Sequence, residues 1–92
     1  MAIRADEVMI GSYFVTADQE LRKVVRVVTD ERGRTHVWYQ CKSATTAGQP
    51  FLLGHTQADP PTLEVFIAQC DHPVGWAELG RLRERGILLQ HE

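Results

Sequence analysis

The strongest constraint on what this chain can fold into is a three-residue stretch, Glu31-Arg32-Gly33. It sits between two segments rich in β-branched and aromatic side chains, Leu21 to Asp30 and Arg34 to Ser43. A glycine in the last loop position supplies the left-handed conformation that closes a three-residue hairpin turn. If Asp30 pairs with Arg34, then Val27 faces Val37, Val25 faces Tyr39, Lys23 faces Cys41 and Leu21 faces Ser43. One side of the hairpin then gathers Leu21, Val25, Val27, Val37, Tyr39 and Cys41, with Lys23 as its misfit. A slip of one residue pairs Arg26 with Val37 and Arg22 with Cys41, which mixes charge into both faces. The pattern therefore predicts an antiparallel hairpin in the first register.

That register also defines the opposite side, where Arg22, Val24, Arg26 and Val28 lie beside His36, Trp38, Gln40 and Lys42. Arg26 falls directly across from Trp38, a cross-strand pair suited to cation–π stacking. A basic sheet face with a tryptophan suits a phosphate backbone with stackable bases, and equally an acidic protein surface. The competing reading is a sheet covered on both faces, in which Val24, Val28 and Trp38 pack and the arginine stems run outward.

The elements around the hairpin follow from local signals. Val8 to Ala17 is apolar at both parities and reads as a strand covered on both faces, ended by Asp18-Gln19-Glu20. Ser43 to Gln49 is a small polar loop, and Phe51 to Thr56 reads as a fourth strand bent at Gly54. Asp59 is placed to cap a helix with Pro60 in its first position, and Leu63, Phe66, Ile67 and Cys70 share one helical face. A strand over the same residues is the alternative, because Val65, Phe66 and Ile67 are β-formers. Asp71 to Pro73 ends that helix. A second one carries Trp76, Leu79 and Leu82 through Arg85, with Gly86 as the left-handed residue after its end and Ile87 turned back onto Leu82. Gly80 in its interior suggests close packing there. The apolar tail at Ile87 to Leu89 is either docked on the core or used between chains.

The expected fold is therefore α+β: a small antiparallel β-meander of about four strands, which can curl toward an SH3-like partial barrel, followed by two C-terminal helices. Residues 1–92 read as one domain, with the sheet over about 8–56, the helices over about 60–86 and a tail at 87–92. With 43% hydrophobic residues, the chain can build one core without metal or disulfide support. It is too short for an enzyme with a cleft between two lobes.

The formal net charge of −2 points to neither a nucleic-acid binder nor a membrane-surface protein. Its distribution says more, because residues 22–42 carry six basic side chains against two acidic ones. The N-terminus lacks an apolar signal region and no run is long enough to span a bilayer, so the expectation is a cytoplasmic protein without membrane contact. Cys41 and Cys70 then read as reduced, buried thiols.

Cys41, Cys70, His36, His55 and His72 include zinc-ligand types, but no C-x-x-C is present and only Cys70 and His72 are closely spaced. No metal site, catalytic residue or cofactor is assigned. The chain carries no G-x-S-x-G, H-E-x-x-H, phosphate-binding loop or dinucleotide fingerprint. The leading expectation is a non-enzymatic binding or adaptor module that uses Arg22, Arg26, His36, Trp38 and Lys42 to hold an anionic partner, nucleic acid or an acidic protein. The alternatives are a self-associating homodimer that buries that face or the C-terminal tail, and a small-molecule pocket protein or weak enzyme.

Overall fold

The computed structural model describes residues 3–53 and 59–89. A 3-10 turn at Ala5–Glu7 leads into β1 (Tyr13–Thr16), β2 (Glu20–Thr29), β3 (Thr35–Ser43) and β4 (Leu52–Leu53); α1 (Leu63–Gln69), β5 (Cys70–Pro73) and α2 (Trp76–Glu84) follow. The strands form one open five-stranded sheet in the order β4-β3-β2-β1-β5, with every pairing antiparallel. The α+β arrangement is the expected one, a meander with helices after it. The sheet stays open, with β4 and β5 as its edges.

The turn between β2 and β3 forms as its residues dictate. Asp30 N donates to Arg34 O at 2.8 Å, Gly33 N donates to Asp30 O at 3.0 Å, and Gly33 has φ 80°. The Asp30 carboxylate Oδ1 accepts from the backbone N of Arg32 and of Arg34, both at 2.9 Å. The Arg34 amide, more than any other partner, holds the Asp30 carboxyl below its ordinary range.

From this turn Val28 pairs with His36, Val27 with Val37 and Arg26 with Trp38, as the loop length requires. The ladder then shifts at Val25. Beyond that bulge Val24 pairs with Tyr39, Lys23 with Gln40, Arg22 with Cys41 and Leu21 with Lys42. The expected partners of Val25, Lys23 and Leu21 are thus replaced. A bulge adds one residue to one strand and reverses which face the following residues occupy. Here it removes Lys23 from the core, brings Val24 in, and sends Leu21 to the other side of the sheet.

That reversal serves two cores. On the first face Phe14, Val24, Val37 and Tyr39 pack with Ile3, Val8 and Phe66. On the second, Val15, Leu21 and Ala44 pack with Leu82, Ile87 and Leu88. Adjacent residues of β1, Phe14 and Val15, point to different cores because strand side chains alternate. β1 is shorter than expected. Val8 reaches the first core from outside any strand, whereas Met9 and Ile10 are exposed and the chain turns at Gly11 before β1 begins.

The helical spacing of Leu63, Phe66, Ile67 and Cys70 is realised, with all four packed in or against the first core. The cap is Thr62, whose Oγ1 accepts from Val65 N at 3.4 Å, in place of the expected Asp59. The reason lies outside the helix. Val37 N donates to Pro61 O at 2.9 Å and Thr62 bridges His36, so residues 61 and 62 run extended along β3 before the helix can start. Cys70 then leaves the helix as the first residue of β5, a strand that pairs with β1 where only a break was expected.

α2 ends in the anticipated Schellman geometry. Gly86, at φ 74°, donates to Arg83 O at 3.1 Å, and Ile87 N donates to Leu82 O at 2.9 Å. The tail is docked, with Ile87 and Leu88 buried beside Leu82. Gly80 does not mark close packing, since a Cβ there would meet nothing within 4 Å. Gly80→Ala is therefore expected to stabilise the protein by about 0.5–1 kcal/mol, by reducing the freedom of the unfolded chain. A thermal melt should show Tm rising by roughly 2–8 °C, and a fall would contradict the open space at that position. The described part of the expected fourth strand is Leu52–Leu53; residues 54–56 of it lie outside the described residues.

Candidate functional site

Among the described residues, the second sheet face is covered over only part of its length. Near the β1 end it is closed by Leu82, Ile87 and Leu88, while toward the hairpin turn it carries Lys23, Arg26, Val28, His36, Trp38 and Gln40. These six share the face because they alternate with the first-core residues Val24, Val27, Val37 and Tyr39.

Arg26 is exposed, and its guanidinium carbon sits 5.2 Å from the Trp38 ring centroid. No carboxylate among the described residues pairs with it. Its charge therefore remains available while its orientation is held by the indole. Trp38 is half-buried, and its Nε1 is shielded from solvent without a hydrogen-bond partner. Beside it, His36 Nε2 lies 3.1 Å from Asp30 Oδ2, and His36 Nδ1 is likewise buried and unpartnered. A carboxylate only accepts, so His36 donates from Nε2 and presents a lone pair at Nδ1 in its neutral form. Lys23 Nζ lies 5.8 Å from the Tyr13 ring centroid, and Arg32 and Arg34 are exposed around the turn. The result is an aromatic platform with cations around it.

Of the five residues expected on this face, Arg26, His36 and Trp38 come together and two do not join them. Arg22 points to the first core and is only 9% exposed. Its guanidinium carbon is 4.3 Å from the Tyr39 ring centroid and 5.7 Å from that of Phe66; Nε donates to Glu20 Oε1 at 2.7 Å and Nη1 to Gln69 Oε1 at 2.8 Å. Lys42 stays on the second face but is buried, with Nζ 4.6 Å from the Phe51 ring centroid and donating to Gln49 O at 3.0 Å. Val24, expected beside Arg26, is in the first core. All but Lys42 are moved by the bulge at Val25, and Lys42 is closed off by the loop after β3. The same bulge adds Lys23 to the face. Its misfit in the unbulged register was the signal for this.

The remaining reactive side chains offer little chemistry. Burial pushes the Cys41 thiol up, and that of Cys70 up to about 11, so neither is a ready thiolate near neutral pH. His72 is held above its ordinary value by the Asp71 carboxylate at 2.8 Å and, less strongly, by Glu78 at 3.3 Å, which ties β5 to the start of α2. A recess of about 270 Å³ lies beside Thr16, Asp18 and Glu20, but the Arg22 at its wall is already bonded to Glu20 and Gln69. Among the described residues no His, Cys, Asp and Glu side chains group to hold a metal ion, and no helix is long and apolar enough to cross a membrane. Comparison with protein-family models, with curated proteins and with solved structures yields no match to this chain, so its geometry alone supports a functional reading.

Proposed function

We propose that this chain is a non-enzymatic binding module that holds an anionic partner on the hairpin-turn half of its second sheet face. The observation that carries this reading is the Arg26 guanidinium, stacked over Trp38 and free of any carboxylate partner among the described residues. Arg26 supplies the charge, Trp38 a flat surface, and Lys23 and Arg34 flank them. A stacking platform within a cationic field favours single-stranded nucleic acid over an acidic protein surface, because every base has a face that can lie on an indole.

The test is titration of a labelled single-stranded oligonucleotide at two salt concentrations. Three phosphate contacts give a log–log salt slope of about −2, so a fourfold rise in salt should weaken binding roughly 20-fold. Arg26→Glu should weaken it at least tenfold, and Trp38→Ala by roughly 5- to 150-fold through loss of stacking. Binding that ignores salt, or that survives Arg26→Glu, rules the reading out. Salt-sensitive binding to an acidic peptide with none to the oligonucleotide would reassign the partner to a protein.

A further inference from the structure

We propose that two copies of this chain associate through a groove beside β1 and the start of α2, each placing Trp76 into the groove of the other. The starting observation is exposure. Trp76 is 89% exposed, Ile10 69% and Met9 60%, although the chain buries its other tryptophan halfway and docks Ile87 and Leu88 on its second core. Two of these three come together. Met9, from the turn before β1, and Trp76, the first residue of α2, line the same groove of about 560 Å³ together with Tyr13 and Leu79. A groove rimmed by a protruding indole and a thioether marks an interaction surface in a small protein.

The occupant is argued from charge and shape. A two-fold interface presents the same patch twice, so that patch must match itself. This one does so in shape, because it combines a projecting ring with a receptive groove. It also does so in charge, because its lining carries one acid, Glu7, and one base, Arg83. A two-fold axis passing between the two sets Glu7 of each copy, whose Oε1 also lies 3.6 Å from its own Arg4 Nε, toward Arg83 of the other, giving two opposite-charge pairs across the interface. The face built around Arg26 and Lys23 fails that requirement, since its unpaired charge is cationic and repels that of its own copy. The tail at Ile87 and Leu88 fails as well, because it is already buried within the chain. The net charge of −2 adds little long-range repulsion between copies. Side-chain insertion suits this site better than edge-to-edge strand pairing, since Pro73, which also lines the groove, has no N–H to offer.

Self-association here is independent of anion binding at Trp38, and it is tested without any added anion. Sedimentation across about two decades of concentration around the micromolar range should show the mass rising toward that of two chains. A patch built on one indole per copy is small, so an affinity no tighter than the micromolar range, and within the range sampled, is expected. Trp76→Ala should weaken dimerisation at least tenfold without lowering the monomer's Tm, because the side chain makes almost no contact within its own chain. Arg83→Glu should weaken it as well, whereas Arg81→Glu, the same charge change outside the groove, should leave it intact, as should Arg26→Glu. A single chain throughout the range assigns the groove to another occupant, a peptide or a small apolar ligand, and overturns the proposal. So does a dimer that survives Trp76→Ala, or one that responds equally to Arg81→Glu and Arg83→Glu.

Discussion

Replacing Phe66 with alanine is expected to cost about 3–5 kcal/mol, one of the two largest losses of stability that a single side chain can cause here. Phe66 is fully buried. Its ring meets Phe14 edge-on at 5.7 Å between centroids and lies 5.4 Å from Tyr39, with the Arg22 guanidinium on the same cluster. Truncation removes these aromatic contacts and opens a cavity beneath a helix of only seven residues, too short to hold its shape without tertiary packing. A chain of 92 residues has roughly 5–14 kcal/mol of total stability, so the variant should be marginal or unfolded at 37 °C. Urea unfolding measures the effect as a large fall in midpoint. Val65→Ala, one residue away and exposed, provides the comparison and should change stability by no more than about 0.5 kcal/mol. Similar midpoints for the two variants would mean that residues 63–69 do not present the helical face described.

That face was readable from the sequence because its signal is periodic and local. So were the hairpin turn, where Asp30 and Gly33 carry the geometry themselves, and the end of α2, where Gly86 and Ile87 close the helix on Leu82. The bulge at Val25 was not readable, because its cause is non-local. Leu21 is required by Leu82, Ile87 and Leu88, which follow it by about sixty residues, while Val24 is required by Phe66 on the other face. No regular strand puts residues 21 and 24 on opposite faces and also keeps Val27 with Val24. Lys23 as a core misfit, and Val24 stranded on the basic face, were the traces of this conflict. The start of α1 failed for a similar reason, since the claim of β3 on Pro61 outweighs the capping preference of Asp59. The candidate face divides along the same line. Arg26, His36 and Trp38 lie on the turn side of the bulge, where local chemistry fixes the register. Arg22 lies beyond it, where the two cores decide.

Arg22 therefore yields the second large prediction, and the one that separates packing from binding. Arg22→Ala is expected to cost about 2–4 kcal/mol. It removes charge-assisted bonds to Glu20 and Gln69 and the guanidinium plane lying 4.3 Å from the Tyr39 ring centroid. The loss stays toward the lower part of that range because the Glu20 side chain is 36% exposed and can return to water once its partner is gone. Arg22→Met should recover most of the stability, since an apolar side chain of similar length fills the space against Tyr39 and Phe66 with no charge to desolvate. Arg22→Lys should not recover it, because a point charge cannot stack flat and bond two acceptors as a guanidinium does. Neither Arg22→Met nor Arg22→Ala, measured under conditions where it is folded, should alter the affinity for an anionic partner, because Arg22 is on the opposite side of the sheet from Trp38. Arg26→Glu should do the reverse, with little change in urea midpoint and a large loss of binding. The unbulged hairpin makes a different prediction, in which Arg22 and Arg26 share a face and both affect binding at little cost in stability. Chemical denaturation and oligonucleotide titration on the same variants therefore decide between the two pairings of β2 and β3, and with them whether Arg22 belongs to the core or to the recognition surface.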